Sequence, residues 1–196
     1  MSNKSRNIIS ILALLLPLAC SLFPTPTPEG PCVANAQGDI TVYQRPSLMA
    51  QEFGIMDNGV QVEVLAQTSD GWLGFDPGVA QAGNIGVFRY RWVEGSSDIL
   101  LGGACDTTPV VVGPLHGVCF TMAMGKVDIH LLPDDVSDVL VTMEIEDYAA
   151  VEGLTANDWA LVDLSLGNYG VDIQGWIPAL ELNMNGPCGD LPIIEP

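Results

Sequence analysis

Apolar and polar positions alternate in short runs along most of the chain. Asp39-Ile40-Thr41-Val42-Tyr43 has a period of two, as do Val60-Gln61-Val62-Glu63-Val64 and Val127-Asp128-Ile129-His130. That period places successive side chains on opposite faces of a half-buried strand. Turn signals separate the runs at Asp57-Asn58-Gly59, Ser69-Asp70-Gly71 and Ala156-Asn157-Asp158. Late strands are predicted over 85–93 and 171–177. No stretch outside the N-terminus has the 3.6-residue period of an amphipathic helix, so the pattern predicts an all-β chain.

The pattern occurs twice. Cys32 and Cys119 are 87 residues apart, as are Gly38 and Gly125, Pro46 and Pro133, Val64 and Val151, Trp72 and Trp159, and Asp76 and Asp163. The offset then falls to 84, matching Gly83-Asn84-Ile85-Gly86-Val87 with Gly167-Asn168-Tyr169-Gly170-Val171 and Trp92 with Trp176. Cys105 and Cys188 close the series at an offset of 83. An ordered series with small drifts is the mark of a duplication whose loops changed length. It divides the chain into a first copy at 32–105, a linker at 106–118, a second copy at 119–188 and a tail at 189–196. About five strands in about 70 residues predict a small barrel for each copy.

The N-terminus differs. Lys4 and Arg6 precede a twelve-residue apolar run at 8–19, too short to span a bilayer but suited to a signal-peptide core. Ala19 followed by Cys20 resembles the cleavage box of bacterial lipoproteins, with Pro17 standing where that family prefers Leu, Val or Ile. The resemblance implies a signal peptide at 1–19 and acylation of Cys20, which would tie the chain to the lipid bilayer on its extracytoplasmic side. Ordinary secretory cleavage nearby is the alternative. Residues 20–31 contain Pro24, Pro26, Pro28 and Pro31, an extended semi-rigid spacer.

Further residues carry a second resemblance. An early strand running into Pro, a central alternating strand, a turn into Trp and a late Gly-x-x-Trp-type strand are similar to bacterial SH3-like domains. In the first copy these are Val42-Tyr43-Gln44-Arg45-Pro46-Ser47, 59–65, Gly71-Trp72 and Trp92-Val93. In the second they are Ile129-His130-Leu131-Leu132-Pro133-Asp134, 148–151, Asp158-Trp159 and Gly175-Trp176-Ile177. The first copy departs in having Arg91 where Gly is usual. The resemblance implies two tandem SH3-like β-barrels that bind peptidoglycan or an envelope protein.

With Cys20 set aside, four cysteines allow three pairings. The repeat favours Cys32–Cys105 and Cys119–Cys188, each stapling its own copy, whereas Cys105–Cys119 with Cys32–Cys188 would tie the copies together. Zinc has no Cys-x-x-Cys spacing to support it. His116 and His130 stand in no ligand or catalytic pattern, and no nucleophile with a base partner is visible, so no enzyme activity and no cofactor are expected.

Composition narrows the partners. The 196 residues hold six Lys and Arg against 24 Asp and Glu, a formal charge of −18, which argues against nucleic acid. Removing 1–19 takes Lys4 and Arg6 away and moves the charge from −18 to −20. With 48% hydrophobic and 15% charged residues, the chain is nevertheless a folding sequence. The second copy carries twelve of the 24 acids against eight in the first. They include Asp134, Asp135 and Asp138, which lack the Gly and distal Glu of a calcium loop, and Glu144, Glu146 and Asp147 before the central strand. Such groups could bind a cation loosely or recognise a basic partner, with a solvated acidic surface as the plainer expectation. Aromatic residues are the binding candidates: Trp72, Trp92, Trp159 and Trp176, repeated between copies and suited to a core or rim, and Tyr43. Phe88 and Tyr90, predicted on one strand face with Trp92, lose their rings at Asp172 and Gln174 of the second copy. That face either meets a ligand or packs on the second copy. A non-catalytic binding module is expected, with a structural scaffold or accessory subunit of a membrane-associated complex as the alternative.

Overall fold

A computed structural model describes residues 30–196 apart from Ala82; the expected signal peptide, Cys20 and nearly all of the spacer lie outside the described residues. The first half contains β1 (Val33–Ala36), β2 (Ile40–Tyr43), β3 (Glu52–Met56), β4 (Gln61–Glu63), β5 (Ala66–Gln67), β6 (Trp72–Phe75), β7 (Arg91–Glu94) and β8 (Ile99–Gly102). The second contains β9 (Phe120–Met122), β10 (Val127–His130), β11 (Val139–Met143), β12 (Tyr148–Leu154), β13 (Trp159–Asp163), β14 (Gln174–Pro178) and β15 (Met184–Asn185). The only helices among the described residues are three short 3-10 turns, so the described part of the chain is all-β.

The second half forms one seven-stranded antiparallel sheet in the order β11-β10-β14-β13-β12-β9-β15. The first half reads β3-β2-β7-β6-β5 in one sheet and β4-β1-β8 in another. Between β4 and β5 the Val64 amide bonds back to Cys32 and the Leu65 amide forward to Gly74. The stretch 61–67 is therefore one bent strand passing from sheet to sheet. Taken through that bend, the strand order is the same in both halves. Finer detail repeats as well. The register slips between Val42 and Tyr43 in one half and between Ile129 and His130 in the other. Beyond each slip Tyr43 pairs with Trp92, and His130 with Trp176.

Neither array of strands closes into a barrel. A ring would need β3 against β8 and β11 against β15, but each of these four strands has a neighbour on one side only. β8 and β15 sit beside β1 and β9, where Cys32–Cys105 and Cys119–Cys188 tie the ends of each half, with Cα atoms 4.4 and 5.0 Å apart. The pairing expected from the repeat is thus the one present. Closing loops of 73 and 69 residues contributes about 4 kcal/mol each in the chain-entropy picture.

The linker and the tail fold in the same way. Val110 bridges Gln67 in parallel, with the Gln67 amide donating to Pro109 and the Val111 amide to Gln67. Ile193 bridges Leu154 with the same two bonds, to Pro192 and from Ile194. Each half therefore continues beyond its second cysteine: Thr108-Pro109-Val110-Val111 answers Leu191-Pro192-Ile193-Ile194 at the offset of 83 that relates Cys105 to Cys188.

The departure at Arg91 has a packing cause. A side chain on the equivalent Gly175 would come within 2.4 Å of the Ile129 methyl and 3.1 Å of Leu140. The first half has Val42 and Phe53 at those places, and the Arg91 guanidinium lies over the Phe53 ring at 4.6 Å. A shorter neighbour makes room for the larger residue, and an aromatic face receives its charge.

Candidate functional site

The two halves meet through a third core. Ala66, Trp72, Val87, Phe88 and Trp92 of the first half pack with Phe120, Met122, Tyr148 and Ala150 of the second. Phe88 stands edge-on to Phe120 at 5.7 Å and to Tyr148 at 5.3 Å, arrangements that add to simple burial. Phe88 is not on the strand face where the period placed it, because it lies in the 3-10 turn Gly86–Phe88 that precedes β7. That turn swings the ring out of its own sheet and into the seam. On the other side, β9 is buried at all three positions, whereas the equivalent β1 alternates. Phe120, Met122 and Tyr148 replace Val33, Asn35 and Gln61 of the first half, so side chains that differ between the copies build the contact.

Polar groups complete the seam. The Arg45 guanidinium lies 5.2 Å from the centre of the Phe88 ring and 5.6 Å from that of Phe120, and donates to the Asn185 side-chain oxygen. Its other terminal nitrogen is buried without a partner. Burial, with a smaller contribution from Arg91, lowers the Arg45 pKa to about 10. Asn185 also donates to Asn84 at 2.9 Å, and Asn183 to the Gly83 carbonyl at 2.7 Å. Composition alone gives no sign that one of three arginines in this half is enclosed between two aromatic rings.

The aromatic candidates divide by exposure. Trp72, Phe88, Trp92 and Trp176 are buried, Trp92 fully. Trp72 stands edge-on to Tyr43 at 5.6 Å, and the equivalent Trp159 stands edge-on to His130 at 5.5 Å. Tyr43, Tyr90 and Trp159 remain half-buried, and of these only Tyr90 lines the groove between the halves. His116 is exposed in the linker. Among the described residues no three His, Cys, Asp or Glu side chains come together as a metal site.

The groove has a volume of about 450 Å³. Ala66, Val87 and Tyr148 form its base, Pro109–Val112 of the linker one wall, and Tyr90, Ile145 and Glu146 stand at its edge. The Tyr148 hydroxyl donates to the Val112 carbonyl, fixing the linker wall to the second half. Its burial pushes the Tyr148 pKa up to about 12. The unfolded chain then loses this proton first, so the contribution of Tyr148 is complete below about pH 10 and is lost as pH rises toward 12. Arg45 works the opposite way in this range, because the folded state releases its proton before the unfolded chain does. Comparing wild type with Tyr148→Phe isolates the tyrosine. In urea titrations wild type is expected to lose up to about 2 kcal/mol relative to the variant between pH 10 and 12. A constant difference across that range would contradict the assignment.

Glu146 is unusual in its backbone. It has φ of 74°, the left-handed region that costs a residue with a Cβ about 1–2 kcal/mol. The equivalent position in the first half is Gly59, with φ of 82°. The second left-handed residue of this kind, Asp158, likewise answers Gly71, but aspartate tolerates that region better than glutamate. Across the groove Gly86 has φ of 51°, and a side chain there would meet the Glu146 Cβ at 3.3 Å. The Glu146 carboxylate is in no ion pair with a described residue. Neighbouring Asp147, by contrast, is tied down within its own half: it accepts from the Glu144 amide at 2.7 Å, from the Tyr169 hydroxyl at 2.6 Å and from Asn168. The acidic cluster of Glu144, Glu146 and Asp147 is visible in the sequence, but the left-handed backbone of Glu146 is not, since such positions are normally sought at glycine.

No protein-family model matches the chain, and none of the curated proteins matches it in sequence.

Proposed function

We propose that this protein is a non-catalytic lipoprotein of the bacterial cell envelope, whose two SH3-like halves act as one unit to bind peptidoglycan or an envelope protein. The observation that carries the reading is the groove between the halves, which leaves Tyr90 and an unpaired Glu146 facing outward above an apolar base. Concave, mostly apolar sites with a few polar groups are the usual form of a binding site. Two closed disulfides fit an oxidising compartment, and the Lys4–Arg6 charge, apolar run, Ala19 and Cys20 fit export and acylation. Fully extended, the twelve-residue spacer at 20–31 would carry the folded part about 35–40 Å from an acylated Cys20.

One observation favours the second reading, a structural scaffold or accessory subunit of a membrane complex. Phe88, which distinguishes the first copy, is spent on holding the halves together and is not available to a ligand.

Sedimentation with purified cell wall separates the two. Binding is expected to survive 0.5 M salt and to weaken about tenfold in Tyr90→Ala, with urea unfolding of the variant checking that the seam core, against which Tyr90 packs, is retained. No sedimentation of wild type, together with crosslinking to one membrane protein in cells, would replace the wall reading with the scaffold.

A further inference from the structure

We propose that the groove between the halves takes a primary ammonium group on a short aliphatic chain, the lysine-type side chain of a peptide, with Glu146 as its counter-charge and Tyr90 as its aromatic wall. The inference rests on the reading of this protein as an envelope-binding module and names the chemistry its groove selects.

Shape and charge both point to this ligand. The base offers Ala66, Val87 and the Tyr148 ring to methylenes, and Val110 and Ile145 flank them, 64% exposed in each case. The Tyr90 ring is held by an edge-on contact with Trp92 at 6.2 Å. A cation over such a ring is attracted by its face, and a carboxylate beside it adds a charge-assisted bond. Tyr90 and Glu146 sense each other, since the Glu146 charge is among the causes that raise the Tyr90 pKa, after burial.

The details select ammonium over other groups. Phosphate or carboxylate would face Glu146 and a half of the chain with twelve acids and one base. Guanidinium would also find both oxygens of the Glu146 carboxylate, but the apolar base of Ala66, Val87 and Tyr148 suits the longer methylene stem of lysine. A neutral apolar ligand would gain nothing from the exposed Glu146 carboxylate. The backbone agrees: glycine serves at this turn in the first half, while the second accepts left-handed strain to keep a glutamate over the groove.

The test uses the disulfide-bonded protein spanning residues 30–196, labelled with nitrogen-15, and the peptide N-acetyl-Ala-Lys-Ala-amide. Amide shifts are expected at Tyr90, Val110, Ile145 and Glu146. The norleucine peptide and the Glu146→Gln variant should each bind at least about tenfold more weakly. Free lysine should also bind more weakly, because its own carboxylate opposes Glu146. Equal affinity for the norleucine peptide, unchanged affinity in Glu146→Gln, or shifts confined to another surface would overturn the proposal. Cell-wall sedimentation of the same variant separates it from the reading beneath it. Full wall binding by Glu146→Gln would reject the ammonium site and leave the envelope reading standing. Peptide binding in the groove without wall binding by wild type would support the site and reject the wall as ligand.

Discussion

Replacing Phe88 with alanine is expected to lower the stability of the protein by about 3–5 kcal/mol, the usual cost of emptying a buried phenylalanine site. The ring is 5% exposed, contacts Phe120 and Tyr148 edge-on, and forms one face of the Arg45 pocket. Its removal leaves a cavity between the halves and takes one aromatic partner from a buried cation. The two other cores do not contain Phe88: one gathers Val42, Leu73, Phe75 and Val93, the other Ile129, Val162, Leu164 and Ile177. The variant should therefore unfold in two steps, with amide protection retained on β10 and β13 after the seam has opened. Phe88→Leu, which keeps most of the volume, should cost less than half as much. A loss below about 1 kcal/mol in Phe88→Ala would mean that the seam contributes little.

The second large effect concerns the staples. Changing Cys119 and Cys188 together to alanine is expected to destabilise the second half by about 4 kcal/mol, because the unfolded chain regains the freedom of a 69-residue loop. Alanine is the suitable replacement, since Cys119 is 4% exposed within the core and serine would bury a hydroxyl there. The bridge also holds β9 and the stretch after β15 together. Its loss should raise exchange at Thr121 and Asn185 before exchange at β13. Chemical denaturation of the double variant with Cys32–Cys105 intact measures the effect. A change below about 1 kcal/mol would show that the ends of this half are held by pairing alone.

Much of the architecture was legible in the sequence. Period-two alternation located β2, β4 and β10, and the ordered repeat identified the cysteine pairs. Closure was not legible, because alternation reports which face is buried and not whether the outermost strands meet. Linker and tail were read as connection and end, yet Pro109-Val110-Val111 and Pro192-Ile193-Ile194 continue the repeat as extended segments. Their likeness lies in three residues, which composition conceals.

The seam was half legible. The ring difference at Phe88 pointed to a special face on the first copy. The same comparison run the other way, Val33 to Phe120 and Gln61 to Tyr148, marks the receiving surface and was the available signal. Arg45 escaped because a charge predicts exposure and only three-dimensional enclosure reverses that expectation. Glu146 was visible as one of three clustered acids, but its left-handed conformation escaped because backbone angle is not written in residue type. It stands out only when its turn is laid over Gly59.

Calorimetry of the disulfide-bonded protein spanning residues 30–196 tests most directly whether the two copies form one cooperative unit through their shared aromatic core. A single transition is expected, with calorimetric and van 't Hoff enthalpies equal, and it should split in Phe88→Ala. Two separate transitions in wild type, each unaffected by Phe88→Ala, would contradict the account.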